Sequence, residues 1–256
     1  MAIIDGESME IQLIRNATMR IRYAGQLIVT DPYLAAKHTL PSVGGKSMNP
    51  TIDLPCLPEE AVANADAAFI SHLHSDHFDS EGQRVLPKDL PVFCQPRDEA
   101  ALKEKGFTKL LPVGNAVTWG GVYITRVPGM HGTGSVLQFL GEVSGFVLKA
   151  RGEPTLYWAG DTVLCDSVRE AVARFKPDVV VTHSGGATFK GTPIIMDAEQ
   201  TVEVCRLVPR GRVVAVHMES LDHLTVTRSE LRAYADAHGV SSGKLLIPKD
   251  GEKITI

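Results

Sequence analysis

The chain lacks any apolar run approaching the roughly 18 to 20 residues that a helix needs to cross a bilayer, so a membrane-spanning role is not expected. It has few cysteines and none are paired: Cys56, Cys94, Cys165 and Cys205 are scattered with no C-x-x-C spacing, which excludes zinc ribbons and thioredoxin-like redox sites. A disulfide framework is unexpected in a chain this large, and the four thiols read as small buried hydrophobes. It also lacks an excess of either charge: the net charge is -4, so there is no electrostatic footprint for nucleic acid or an anionic membrane. The stretch from Met1 to Gln12 carries Asp5, Glu7 and Glu10 and lacks the positive start and apolar run of a secretory signal; a cytoplasmic location is the expectation. No low-complexity segment or linker divides the sequence, so residues 1–256 are expected to form a single domain.

What is present is a core. Hydrophobic residues make up 44% of the 256 residues and charged residues 22%, enough for one large α/β or all-β unit. The first thirty residues alternate and are β-branched. Ile11–Ile14, Met19–Tyr23 and Gln26–Thr30 read as antiparallel strands, with a turn at Ala24-Gly25. The segment His38 to Leu57, holding Pro41, Gly44, Gly45, Pro50 and Pro55, reads as a long surface loop, a feature often tied to function. Strands and helices then alternate. Strands are expected at Ala67–Ser71, Val122–Val127, Ser135–Leu140, Gly145–Ala150, Thr155–Ala159, Asp178–Thr182, Val213–Val216, Leu245–Ile247 and Lys253–Thr255. Helices are expected at Arg97–Lys105, at Leu164–Phe175, from Asp197 to before Pro209, and from the capping box Thr227/Glu230 to Gly239. Strands first, then mixed strands and helices, predict two sheets covered by helices.

The sequence His72-Leu73-His74-Ser75-Asp76-His77 carries the chemistry. Zinc-type ions take imidazole and carboxylate ligands, and catalytic sites keep a position open for water. His72 and His74, two apart on extended backbone, can aim both rings the same way; Asp76 and His77 can reach a second ion beside the first. A polar surface turn is the plain alternative. One stretch cannot fill two coordination spheres, so more ligands are expected elsewhere. His131, Asp161 and His217 each follow the C-terminal end of an expected strand, as His72 does, and sites in open sheets gather in such loops. Taken singly, His131 could be a loop histidine, Asp161 an N-cap, and His217 a core histidine.

In order and spacing, Asp31, the run His72/His74/Asp76/His77, His131, Asp161 and His217 resemble the ordered motifs of the metallo-β-lactamase superfamily. The resemblance spans nearly the whole chain. It implies a four-layer αββα sandwich of α/β (α+β) class, with two mixed sheets flanked by helices. It also implies hydrolysis by a dinuclear site: His72, His74 and His131 on one metal, Asp76, His77 and His217 on the other, Asp161 bridging both with a hydroxide, and Asp31 supporting the ligands. The bridging Asp161 shifts the likeness away from many true β-lactamases, and His74 stands where flavodiiron oxygen reductases carry glutamate. Within the superfamily the chain is similar to the ascorbate-phosphate lactonase-like branch, through Asp31-Pro32-Tyr33-Leu34, Asn49-Pro50, Leu54-Pro55, His77-Phe78-Asp79, Gly185-Gly186 and Met196-Asp197.

The resemblance implies two divalent cations, zinc first, with Mn2+ or Fe2+ as alternatives given the carboxylates. The hydroxide would attack an ester, lactone or phosphoester of a small-molecule substrate, with Asp76 or Asp161 orienting it and relaying its proton. His183, ending a strand before Ser184-Gly185-Gly186, could face the substrate or donate a proton, or be structural. His223, six residues past His217, is another candidate catalytic group. Lys190 could meet an anionic substrate or be merely solvated. A nuclease on the same fold would need a basic exosite that the sequence does not show. A non-catalytic metal-binding protein sits poorly with an intact ligand set. No nucleic-acid or membrane partner is expected, and self-association into a homo-oligomer is left open.

Overall fold

A computed structural model describes residues 9–256; Asp5 and Glu7 of the acidic opening stretch lie outside the described residues. The chain begins as an antiparallel meander of β1 (Glu10–Arg15), β2 (Thr18–Tyr23) and β3 (Gln26–Thr30). Tyr23 pairs with Gln26 across Ala24-Gly25, both at positive φ, the two-residue turn that matches strand twist. From β3 the sheet turns parallel. β4 (Ala67–Ile70), β5 (Val92–Cys94) and β6 (Leu110–Pro112) follow in register, and the last strand, β16 (Lys253–Thr255), closes the far edge against β1. Helices α1 (Pro58–Val62), α2 (Ser80–Val85) and α3 (Glu99–Glu104) make the crossovers.

The second half repeats the plan. β7 (Ala116–Trp119), β8 (Val122–Pro128), β9 (Ser144–Lys149) and β10 (Leu156–Trp158) run antiparallel, and β11 (Val179–His183), β14 (Arg212–Val216) and β15 (Leu245–Leu246) continue parallel. Helices α5 (Asp166–Phe175), α6 (Ala198–Leu207) and α7 (Arg228–Ala237) are the crossovers here. α6 is capped by the Asp197 carboxylate, and α7 by the expected capping box of Thr227 and Glu230.

Strand period then builds the layers. Val179 and Val181 face inward while Val180 faces out, and Val214 and Val216 oppose Val213 and Ala215 in the same way. The inward set joins Ile11, Phe69, Phe93, Phe146 and Trp158 in a core between the two sheets. The outward set of the second sheet packs on Val168, Val202, Cys205 and Leu231 of α5, α6 and α7; on the first sheet, Ala68 and Ile70 pack with Leu102 and Phe107. The result is the αββα sandwich expected from the sequence. Cys94, Cys165 and Cys205 are buried and Cys56 half-buried, all as free thiols. No described helix is long and apolar enough to cross a membrane.

Some elements differ from the sequence reading. Ser135–Leu140 is not a strand but a 3-10 turn (Gly134–Val136) followed by α4 (Leu137–Leu140). Val136 and Leu140, four apart, pack on Ile194 and Ala187, so helical rather than alternating spacing governs there. The short β5, β6, β7 and helices α1 and α2 were not anticipated, nor was the hairpin of β12 (Thr188–Phe189) and β13 (Thr192–Pro193). Each is too short to carry a periodic pattern. The loop from His38 to Leu57 holds no helix or strand, only a bridge between Leu40 and Asn49.

Candidate metal centre

The expected ligands lie in loops at the C-terminal ends of strands. Asp31 follows β3, His72 follows β4, Asp161 follows β10, His183 ends β11 and His217 follows β14. His131 arrives from the end of β8. The C-terminal ends of the parallel strands of both sheets therefore open on one place. His217 has a positive φ of 59°, and its carbonyl presses where a side chain at Gly185 would stand, 2.3 Å from that Cβ position. Only glycine at 185 lets β11 and the His217 loop approach this closely.

The ring nitrogens fall into two groups. His72, His74 and His131 present one nitrogen each within 4.8 Å of one another, and His77, Asp161, His183 and His217 form the second such group. Asp76 joins the second group, with Oδ2 3.6 Å from His77 Nε2 and 3.4 Å from His217 Nε2. Asp161 stands between the groups: Oδ2 is 3.2 Å from His77 Nε2, 3.7 Å from His131 Nε2 and 4.0 Å from His72 Nε2, and Oδ1 is 3.6 Å from His217 Nε2.

The outer nitrogens set the tautomers. His77 Nδ1 donates to Asp31 Oδ2 at 2.6 Å, and His131 Nδ1 donates to the Ile194 carbonyl at 2.8 Å. The Ser71 hydroxyl donates to Asp31 at 2.6 Å and so accepts from His72 Nδ1 at 2.9 Å. Asp31 takes a further bond, 2.7 Å, from the Ser71 amide. With their Nδ1 protons committed outward, His72, His77 and His131 turn Nε2 inward as metal-ready lone pairs. His72 Nε2 faces His74 Nδ1 at 2.9 Å, and His77 Nε2 faces His217 Nε2 at 3.2 Å. Nitrogen pairs this close need a shared cation or proton, so the donor set fits two metal ions: His72, His74 and His131 could hold one, Asp76, His77 and His217 the other, with Asp161 between them.

The electrostatics match this division. Burial, reinforced by His77 and His74, keeps His72 neutral, well below the ordinary histidine range. Burial likewise lowers His131 despite Asp161 nearby. Burial would lower His77 too, but Asp161, Asp76 and Asp31 outweigh it and raise it well above that range, the mark of a position built for positive charge. Against burial, His77, His217 and His183 hold Asp161 ionised well below the usual carboxylate range.

For His183 the hydrogen bonds support the structural alternative of the sequence reading. Although it lies within the second group, it is fully buried and both ring nitrogens are occupied. Trp158 Nε1 donates to its Nε2 at 2.9 Å, which leaves the proton on Nδ1 to donate to Asp161 Oδ1 at 2.5 Å. Burial lowers it to about 4, so it stays neutral. It therefore neither faces substrate nor offers a lone pair to a metal; it orients Asp161. His223 stands apart from both ligand groups. It lines a cavity of about 210 Å³ together with His74, Asp76, His131, Asp161 and His217, walled by Val43, Leu140, Ala187, Phe189 and Ile194. Its Nδ1 is buried without a hydrogen-bond partner. Lys190 stays outside that cavity, over the rings of Phe139 and Phe189. Ser71 and Trp158 escaped the sequence reading, as did Asn16, which bonds the Asp76 carbonyl through Nδ2 and receives the His217 amide on its own carbonyl. None carries a signal of its own; each acts only through a neighbour that the fold brings.

A family model described as a beta-lactamase superfamily domain matches residues 27–218. The chain belongs to that superfamily. It is 34% identical, over 96% of its length and all of the relative's, to UPF0173 protein YddR of Bacillus subtilis (strain 168). It is 28% identical to a UPF0173 metal-dependent hydrolase of Xanthobacter autotrophicus, over 80% of this chain and 82% of that one. Among solved structures it superposes with a TM-score of 0.91 on an isothiocyanate hydrolase from Delia radicum gut bacteria, at 35% identity over 97% of this chain and 99% of that one. A possible metal-dependent hydrolase from Veillonella parvula DSM 2008 gives a TM-score of 0.94 at 29% identity, over 98% and 100% of the two chains. Membership of the superfamily and the metallo-β-lactamase fold agree with the sequence reading; the lactonase-like branch is not singled out by these relatives.

Proposed function

We propose that the protein is a dinuclear metal-dependent hydrolase that cleaves an ester, lactone or phosphoester bond of a small molecule. The observation that supports it is the convergence of two ligand groups on Asp161 at the base of the apolar-walled cavity. Two divalent cations held there would ionise water near neutral pH and polarise the scissile bond. The chain's own residues supply the rest. Asp31 and Ser71 fix His77 and His72, and His183 with Trp158 fixes Asp161. Asp76 and Asp161 are the carboxylates placed to orient the attacking water and take its proton. His223, in the cavity wall, is the side chain placed beside the leaving atom or the developing oxyanion. Val43, Leu140, Phe189 and Ile194 wall the cavity and favour a substrate with an apolar group beside the scissile bond.

A second reading, the carbon of an isothiocyanate as the electrophile, is favoured by the size and apolar walls of the cavity and by the similar isothiocyanate hydrolase. The test is metal analysis of protein purified without chelators, with an activity screen of lactones, esters, phosphodiesters and isothiocyanates, with zinc, manganese and iron compared. About two metals per chain are expected, with hydrolysis lost in His74→Ala and Asp161→Ala. Protein free of transition metal would refute the proposal, and cleavage of RNA alone would favour a nuclease.

A further inference from the structure

The loop of residues 41–49 wraps around one carboxylate. Asp222 Oδ1 accepts from the amides of Val43 (3.0 Å) and Gly44 (2.9 Å) and from Asn49 Nδ2 (3.0 Å). Its Oδ2 accepts from the Ser42 hydroxyl (2.5 Å) and from the amides of Lys46 (3.0 Å) and Ser47 (3.3 Å). The Asp222 amide returns a bond to Asn49 Oδ1 at 2.9 Å. Little else holds the segment: apart from the Leu40–Asn49 bridge it pairs with no strand. Burial alone would raise the Asp222 carboxyl, but the bonds from Ser42, Gly44, Lys46 and Asn49 outweigh it and hold it well below the usual range.

Two further observations tie this latch to the cavity. Val43 is 58% exposed, yet it lines the same cavity as the candidate metal-ligand side chains. The Gly44 backbone lies against His223, where an added Cβ would stand 3.1 Å from His223 Cα and Cβ and 2.9 Å from the Asp222 carbonyl. The residue next to the latch is thus the cavity histidine itself. We propose that residues 41–49 form a strap that builds one wall of the substrate cavity, and that Asp222 is the positioning residue that holds Val43 and His223 in register across it. The strap then sets which substrates fit: Val43 limits the bulk beside the reacting group, and release of the latch opens that wall. The role in selectivity rests on the hydrolase reading above; the latch itself does not.

The experiment compares wild type with Asp222→Asn, which keeps volume but turns an NH2 group toward backbone N–H donors, and with Val43→Gly, which leaves the latch intact. Three readouts are taken: amide exchange of residues 43–47, diethyl pyrocarbonate labelling of His223 followed by peptide mass spectrometry, and steady-state kinetics on linear and branched members of whichever substrate series the screen finds. For Asp222→Asn, amide exchange and His223 labelling are expected to rise about tenfold, with KM up several-fold and kcat changed by less. For Val43→Gly, exchange is expected to stay at the wild-type rate while labelling rises and the preference for linear substrate falls. Unchanged exchange in Asp222→Asn overturns the latch; unchanged labelling in both variants overturns the wall. If Asp222→Asn does not fold, wild-type labelling and selectivity in Val43→Gly overturn the proposal. A wild type that hydrolyses nothing in the screen defeats the hydrolase reading alone, because exchange and labelling still judge the strap.

Discussion

Replacing Asp31 with asparagine changes one atom and tests how the ligands are held. The Asp31 carboxylate accepts three bonds, from the Ser71 amide at 2.7 Å, the Ser71 hydroxyl at 2.6 Å and His77 Nδ1 at 2.6 Å. All three donors are buried. An asparagine must place its NH2 on one side. Set toward the Ser71 amide, it opposes donor to donor and costs about 1–3 kcal/mol of stability. Set toward His77, it makes Nδ1 the acceptor, moves the ring proton to Nε2 and blocks the nitrogen that faces Asp161 and His217. The Ser71 hydroxyl would lose its acceptor as well and turn its proton toward His72 Nδ1, so the same change would spread to the other group. Loss of such a supporting partner lowers metal affinity roughly 10- to 100-fold, which is about 1.4–2.8 kcal/mol. The assay is competitive chelator titration of zinc, read beside urea unfolding of the metal-free protein. The second group should weaken more than the first, because His77 touches Asp31 directly. Wild-type affinity at both sites in a folded Asp31→Asn protein would refute the tautomer reasoning.

Trp158→Phe keeps the apolar packing on Phe146 but removes the indole donor to His183 Nε2. It should cost about 1–3 kcal/mol in unfolding and shift the ligand-field absorption of the cobalt-substituted protein as Asp161 loses its fixed orientation; lost stability with an unchanged spectrum would reduce Trp158 to packing. Burial pushes the Cys94 thiol up to about 12 and the Cys205 thiol up to about 11. Thiolate is the reactive form, so at pH 8 a thiol reagent should label half-buried Cys56 well before these two, which should react only on unfolding. Mass mapping of the labelled native protein checks this, and early labelling of Cys94 would contradict it.

The sequence by itself determined the strand periods, the capped helices α6 and α7, and the order of the candidate ligand residues. These are legible because each depends on near neighbours: alternation along Val179–Val181, Thr227 three residues before Glu230, and imidazoles spaced within His72–His77. It also indicated that the long loop after β3 has no regular structure. It could not show that Ser135–Leu140 coils rather than extends, because six residues carry too little pattern and their packing partner, Ile194, is far along the chain. It left His183 and His223 as equivalent candidates. Only the tertiary structure separated them, by setting Trp158 behind one ring and a cavity in front of the other. The same holds for Asp31, Ser71 and Asp222. A side chain's hydrogen-bond partners fix its tautomer, its charge and its access to substrate, and those partners meet only when the two sheets close on each other.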